Sequence, residues 1–336
     1  MTRILLYSGE QWIVNKSGVG EALRHQRRIL ELAGVEVTED VKDSYDVVQI
    51  NTIFPGALFR SLRARRQKKK VIYYAHSTKE DFRNSFIGSN LFAGLFGRWL
   101  GICYNTADLV ITPTPYSKEL LKHPCYHLRK PVISMSNGID TRFWCRDTEA
   151  GKAFRRRYGI KEGQKTVISV GHLIERKGIL DFLAVAEELP EVEFFWFGKT
   201  SLKMIPKTVR EGIKNAPANV HFPGFADKKQ LKEAYNGADA FLFLTKEETE
   251  GIVLLEALSC EQKVLIRDIP IYKSMVPEGE LIRKGSSREE FIKELQYLLS
   301  KTSQGNPQAR ALALMRDYQK IAEKMRKVYQ RIFKNA

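Results

Sequence analysis

A chain of 336 residues with 43% hydrophobic content has enough apolar mass for two ordinary domains and lies far from the composition of a disordered chain. Its formal net charge of +16 implies an anionic partner: nucleic acid, acidic lipid or a phosphorylated substrate. No stretch approaches the roughly 18–20 uninterrupted apolar residues of a spanning helix, and "MTRILLYSGE" reads as a strand rather than a signal peptide.

Taken in chain order, the pattern alternates strand and helix, which predicts parallel sheets with helical crossovers. Strands are predicted at "RILLYS", "VEVTED", "VVQI", "KVIYYAHS", "LVITP" and "VISMSNG", with helices at 19–33, 56–68, 88–106 and 115–122. A polar, charged stretch at 142–162 lacks strand character and reads as a linker. The alternation then resumes with "TVISVGHL", "VEFFWFG", "VHFPGF", "AFLFLT" and "KVLIRD", and helices at 178–189, 203–214, 228–237 and 251–260. The close, "QARALALMRDYQKIAEKMRKVYQRIFK", reads as one long amphipathic helix. The expected division is 1–150 and 151–314, with a C-terminal helix at about 315–336. Both domains are doubly wound α/β, and two such domains imply a cleft between them.

Cys103, Cys125, Cys145 and Cys260 form no C-x-x-C pair, which points to reduced thiols in a cytoplasmic protein. "HPCYH" brings His123, Cys125 and His127 together but lacks a fourth ligand nearby, and no D-x-D occurs. No metal site and no cofactor are therefore expected. Any phosphate charge would be met by Arg, Lys and helix dipoles.

Four short motifs are candidates for chemistry. Gly18 and Gly20 in "KSGVGEALRHQ" precede a helix, where small residues let backbone amides approach a phosphate or sugar, although a plain helix start looks the same. His76 ends a buried strand in "YYAHST", a placement suited to a ligand contact. Arg176 and Lys177 in "VGHLIERKG" open a helix, either to meet a leaving pyrophosphate or as a solvated basic turn. Glu248 and Glu256 lie eight residues apart either side of Gly251 in "KEETEGIVLLEAL", one in a loop and one in the helix that follows. Acids in a helix's first turns also complement its dipole, so this pair alone leaves both readings open.

In combination and in order, "AHS", "SNGID", "RKG" and Glu248-x7-Glu256 with Gly251 between them resemble the retaining, nucleotide-sugar-dependent glycosyltransferases of family 4, over essentially the whole chain. The resemblance implies a GT-B fold, two Rossmann-like domains facing a cleft, with the C-terminal helix crossing back to the first domain. It implies that Glu256 binds the ribose diol of the donor nucleotide and that Glu248 contacts the donor sugar near the reacting centre. Lys177, with Arg176 beside it, would bind the pyrophosphate. The backbone amides of Gly251, Ile252 and Val253 would bind sugar and phosphate oxygens, Gly18 and Gly20 would flank the donor phosphates, and His76 would touch the transferred sugar. Two positions depart from the family: His172 stands where Arg is common, and Glu250 where an aromatic is common. Arg176 would compensate for the first; the second bears on how the donor sugar is packed.

Two segments speak to the acceptor. "LFRSLRARRQKKK", residues 58–70, carries seven cations and no acid, and clustered cations add about 1 kcal/mol each at an anionic membrane surface. "DFRNSFIGSNLFAGLFGRWLGI", which covers 82–100, carries Phe92, Phe96 and Trp99 and reads as an interfacial helix or a greasy groove, or else contributes Leu91, Leu95 and Leu100 to an ordinary core. Within the family the chain is most similar to bacterial glycolipid synthases that add a second hexose to monoglucosyl-diacylglycerol. That similarity implies a UDP-glucose or UDP-galactose donor, a glycosyl-diacylglycerol acceptor and a peripheral place on the cytoplasmic face of the membrane. A saccharide acceptor, as in capsule synthesis, is the rival within the fold. A basic nucleic-acid-binding protein is the rival outside it, and the intact Glu248, Glu256 and Lys177 set argues against nucleic acid.

Overall fold

The computed structural model describes residues 3–9, 18–302 and 305–334, with side chains through 332. It divides into two units, one of residues 1–80, 91–140 and 316–336, the other of residues 81–90 and 141–315. Set against the expected 1–150 and 151–314, residues 141–150 and 81–90 go with the second unit.

The first unit is built from β1 (Arg3–Tyr7), α1 (Gly18–Leu32), β2 (Glu36–Thr38), β3 (Val47–Ile50), α2 (Pro55–Arg66) and β4 (Lys70–Tyr74). After it come α3 (Lys79–Phe82), α4 (Ser89–Tyr104), β5 (Leu109–Thr112), α5 (Pro115–Leu120) and β6 (Val132–Ser134). All strands are parallel, in the order β2-β1-β3-β4-β5-β6. Alternate residues of each strand enter opposite cores. Val48, Ile50, Val71 and Tyr73 pack with Ala57 and Ala64 of α2 and Leu100 and Tyr104 of α4. Val47, Ile72 and Tyr74 pack on the other face with Ile29 and Leu30 of α1.

On α4 the two expected roles fall to different residues. Leu100 is core, Phe96 and Trp99 pack against it, and the Trp99 indole donates to the Ile53 carbonyl at 2.7 Å. Leu91, Phe92, Leu95 and Ile102 are instead exposed, Leu91 by 81%. No helix among the described residues is long and apolar enough to cross a membrane.

The second unit comprises α6 (Thr148–Arg157), β7 (Thr166–Val170), α7 (Ile179–Glu187), β8 (Glu193–Phe197), α8 (Lys207–Lys214), β9 (Val220–Gly224), α9 (Lys228–Gly237) and β10 (Ala240–Phe243). It continues with α10 (Ile252–Ser259), β11 (Val264–Arg267), α11 (Pro270–Met275), β12 (Ile282–Gly285), α12 (Arg288–Ser300) and α13 (Pro307–Leu314). Its parallel order is β12-β11-β10-β7-β8-β9. The stretch read as a linker contains α6, which packs on α9, with Asp147 capping α6 through the Ala150 amide at 3.0 Å.

The long C-terminal helix expected from the pattern is two helices. After α13 the chain extends at Arg316–Asp317 to bridge with Ile139, whose amide donates to the Arg316 carbonyl at 2.9 Å. Asp317 then accepts from the Gln319 amide at 2.9 Å and starts α14 (Tyr318–Lys334). Tyr318, Ile321, Met325 and Tyr329 of α14 join α1 in the first unit's core, so the chain does cross back to that unit.

Candidate active site

In the second unit β10 and β7 are hydrogen-bonded neighbours, so the loops that leave their carboxyl ends emerge side by side. The loop after β7 holds Arg176 and Lys177 in a single 3₁₀ turn, closed by Gly178 at φ +81°. A Cβ on Gly178 would run into the Leu244 carbonyl, so only glycine lets this loop press onto the end of β10. That approach brings Lys177 Nζ into an ion pair with Glu248 Oε1, to which Thr245 Oγ1 also donates at 3.2 Å. Glu248 is only 6% exposed, and a charge so far from water persists because it is paired and hydrogen-bonded.

Gly251, at φ +84°, turns the second loop into α10. A Cβ there would lie 2.7 Å from the Tyr272 hydroxyl and 3.3 Å from Phe243. Gly251, Ile252 and Val253 are partly exposed at the positive end of α10. A little over one turn further on, buried Glu256 accepts from the Tyr235 hydroxyl through Oε2 at 3.0 Å; the same hydroxyl lies 3.1 Å from the Val253 carbonyl. Burial and then the Glu256 charge push the Tyr235 phenol well above its ordinary pKa, so it stays a donor.

Arg176 has partners of its own within the second unit. Its guanidinium pairs with Asp81 Oδ1 at 2.8 Å and donates to Ser85 Oγ at 3.0 Å and to the Glu247 carbonyl at 2.8 Å. Its backbone amide donates to the Asn84 carbonyl at 3.0 Å. It is 8% exposed. Arg176 therefore fastens segment 81–90 to the loop before α7, and meeting a phosphate would mean giving up these partners. His172 does not replace it, because burial and then the Lys177 charge lower its pKa and favour the neutral ring.

In the first unit His76 follows β4 and is 9% exposed. Its Nε2 lies 3.0 Å from Asn51 Oδ1 and 3.2 Å from Gln26 Nε2, and its ring stacks on Tyr74. Burial pushes its pKa down to about 4, so the imidazole is neutral at pH 7. Gly18 opens α1, and among the described residues a Cβ there would meet nothing within 4 Å. Gly20 borders a cavity of about 210 Å³ with Leu6, Ser8, Leu23 and Arg24. Lys16 and Ser17 of the same motif lie outside the described residues.

The second unit thus brings Lys177 and Glu248 into contact and sets Gly251, Ile252, Val253 and Glu256 along the same strand-to-helix turn. The first gathers His76 beside the helix that Gly18 and Gly20 begin. Sequence reasoning missed Asp81, Ser85, Tyr235, Gln26, Gln49 and Asn51. Of these only Gln49 left a sign, since "VVQI" puts an amide into an otherwise apolar buried strand.

Two parallel six-stranded sheets in these orders make up the GT-B fold, and a paired acid and cation stand at the carboxyl edge of the second. Residues 151–324 match the family described as "Glycosyl transferases group 1", and residues 12–143 match "Glycosyltransferase Family 4". The chain is 40% identical to a "Processive diacylglycerol alpha-glucosyltransferase" of Acholeplasma laidlawii, over 99% of both chains. It is 30% identical to an "Alpha-galactosylglucosyldiacylglycerol synthase" of Streptococcus pneumoniae, over 97% of this chain and 85% of the relative. Anabaena HepE, solved in complex with UDP and glucose, has the same fold, with a TM-score of 0.79 at 15% identity over 98% of this chain and 100% of that one. The chain belongs to the family 4 glycosyltransferases, as its motifs implied.

Proposed function

We propose that the protein transfers glucose from UDP-glucose to a glucosyl-diacylglycerol at a membrane surface, with retention of the α configuration. The observation that carries this reading is the 40% identity over 99% of both chains to a diacylglycerol α-glucosyltransferase. The site supports it. Glu256, buried and hydrogen-bonded by Tyr235, is a charged acceptor for the ribose diol, and Glu248 is placed for the sugar. Lys177 and the first amides of α10 meet the diphosphate as negative charge develops on it. The acceptor oxygen forms its bond to C1 on the face from which the phosphate leaves, the C1–O bond to phosphate breaks, and the acceptor's proton passes to a phosphate oxygen. His76, neutral, contacts the transferred sugar. No strict metal requirement follows from this assignment, because the cation is Lys177.

The acceptor side is supported by α2 and α4, which pack into one core on one face of the first sheet. Phe59 on α2 and Leu91, Phe92 and Leu95 on α4 are exposed, as are Arg63, Arg66 and Lys68 near the end of α2 and Arg98 on α4. An open groove of about 500 Å³ runs along α4, lined by Leu91, Leu95, Arg98 and Pro124. Exposed apolar side chains rimmed by cations fit an anionic bilayer interface. We place the protein there, on the cytoplasmic face. The test is incubation with UDP-glucose or UDP-galactose and either diacylglycerol or monoglucosyl-diacylglycerol in mixed micelles, with products identified by mass and NMR. An α-glucosylated lipid is expected. Glycosylation of a soluble saccharide with no lipid product would overturn the assignment.

A further inference from the structure

Gln49 stands in the middle of β3, fully buried, with Val47, Val48 and Ile50 as its strand neighbours. An amide in such a place destabilises the fold unless both its ends are bonded. Its partners run in opposite directions. Tyr329 on α14 donates its hydroxyl to Gln49 Oε1 at 2.5 Å, a contact 280 residues apart in the chain. Gln49 Nε2 donates to Gln26 Oε1 on α1 at 2.6 Å, and Gln26 Nε2 lies 3.2 Å from His76 Nε2. All four side chains are buried, so water does not compete for any link.

We propose that Tyr329, Gln49 and Gln26 form a one-way hydrogen-bond relay that sets the tautomer of His76, holding Nε2 as an acceptor with the ring proton on Nδ1. The phenol gives its single proton to Gln49, each amide passes on the same polarity, and the last group to face the imidazole is an N–H. A neutral imidazole has one proton, so Nδ1 carries it and His76 offers its other edge as a donor, not a base. Asn51 fits the same arrangement only with its amide turned over, because as placed its Oδ1 would accept a proton from Nε2. Its Oδ1 faces Nε2 at 3.0 Å, while its Nδ2 has no partner among the described residues. Turning that amide over exchanges N and O without changing its shape and replaces an acceptor–acceptor contact with a hydrogen bond. The three relay residues are positioning residues. Their meaning for turnover rests on the reading of His76 as the group that meets the transferred sugar.

The test is ¹⁵N NMR of the full chain with labelled histidine, in which long-range ¹H–¹⁵N couplings identify the protonated ring nitrogen without reference to activity. In the wild type His76 is expected as the Nδ1–H form at pH 7. Gln26→Glu ends the relay in an acceptor and should move the proton to Nε2; Tyr329→Phe removes the donor that sets the polarity and should give a mixture. Wild-type protein with the proton on Nε2, or a tautomer ratio unchanged in Tyr329→Phe, would overturn the relay. In transfer assays Tyr329→Phe should lower kcat several-fold with KM for UDP-glucose within twofold. Wild type that transfers no sugar would instead count against the proposed function and leave the tautomer result standing.

Discussion

Lys177 Nζ pairs with Glu248 Oε1 across two loops, 71 residues apart in sequence, that leave neighbouring strands β7 and β10. Both side chains are largely withdrawn from water, so removing one partner strands the other's charge, at a cost of about 3–5 kcal/mol. Lys177→Met should therefore destabilise the protein by that order, and Lys177→Met with Glu248→Gln should regain most of the loss while remaining inactive. Urea unfolding and sugar turnover measured on the same three proteins check both statements. Equal instability of the single and double variants would mean that the pair is not coupled.

Gly251 sits at φ +84° with the Tyr272 hydroxyl where a side chain would go. Gly251→Ala should cost roughly 2–4 kcal/mol, from the left-handed backbone and the collision together. Adding Tyr272→Phe should recover only the collision's share, because the backbone conformation remains. The Tyr272 hydroxyl has no hydrogen-bond partner among the described residues, so Tyr272→Phe alone should leave the melting temperature unchanged or raise it.

His76 gives the stability a pH dependence of defined sign. Its pKa falls from an ordinary 6.5 to about 4 in the folded chain. Above pH 6.5 both states leave the ring neutral. Between 6.5 and about 4 the unfolded chain binds a proton that the native one does not, so stability falls as pH falls. From pH 7 to pH 5 the wild type should lose about 2 kcal/mol more than His76→Gln loses. Parallel urea titrations at the two pH values check this, and identical losses would contradict the neutral, buried assignment.

Attachment to membranes should have separable charged and apolar parts. Substituting Arg63, Arg66 and Lys68 with Gln should weaken sedimentation with anionic vesicles at low salt, and salt should weaken it in the wild type, since the Debye length is about 8 Å at physiological ionic strength. Substituting Leu91, Phe92 and Leu95 with Ser should reduce binding even at low salt. Phe96 and Trp99 serve the core, so replacing them should lower stability first.

Most of the fold was legible because strand and helix periods alternate cleanly and parallel strands such as β7 and β10 are buried end to end. The break at Arg316–Asp317 was not, because nothing in an amphipathic pattern records that a backbone bridge to Ile139 interrupts it. The sequence singled out Lys177, Glu248 and Glu256 because their motifs follow buried strands, and the structure pairs the first two. The partners of Arg176 and His76 come from distant segments, Ser85 and Gln26 among them, and their roles exist only once the chain has folded.

Calorimetric titration with UDP measures the division of labour between Glu256 and Glu248. Glu256→Gln keeps the shape and a contact to Tyr235 but loses the charge offered to the ribose diol, so UDP affinity should fall about tenfold or more, equivalent to about 1.4 kcal/mol. Glu248→Gln should keep UDP affinity or raise it, because its place is with the sugar, which UDP lacks, and its loss frees Lys177 for the diphosphate. UDP affinity unchanged in a folded Glu256→Gln, or lost equally in both variants, would contradict the account.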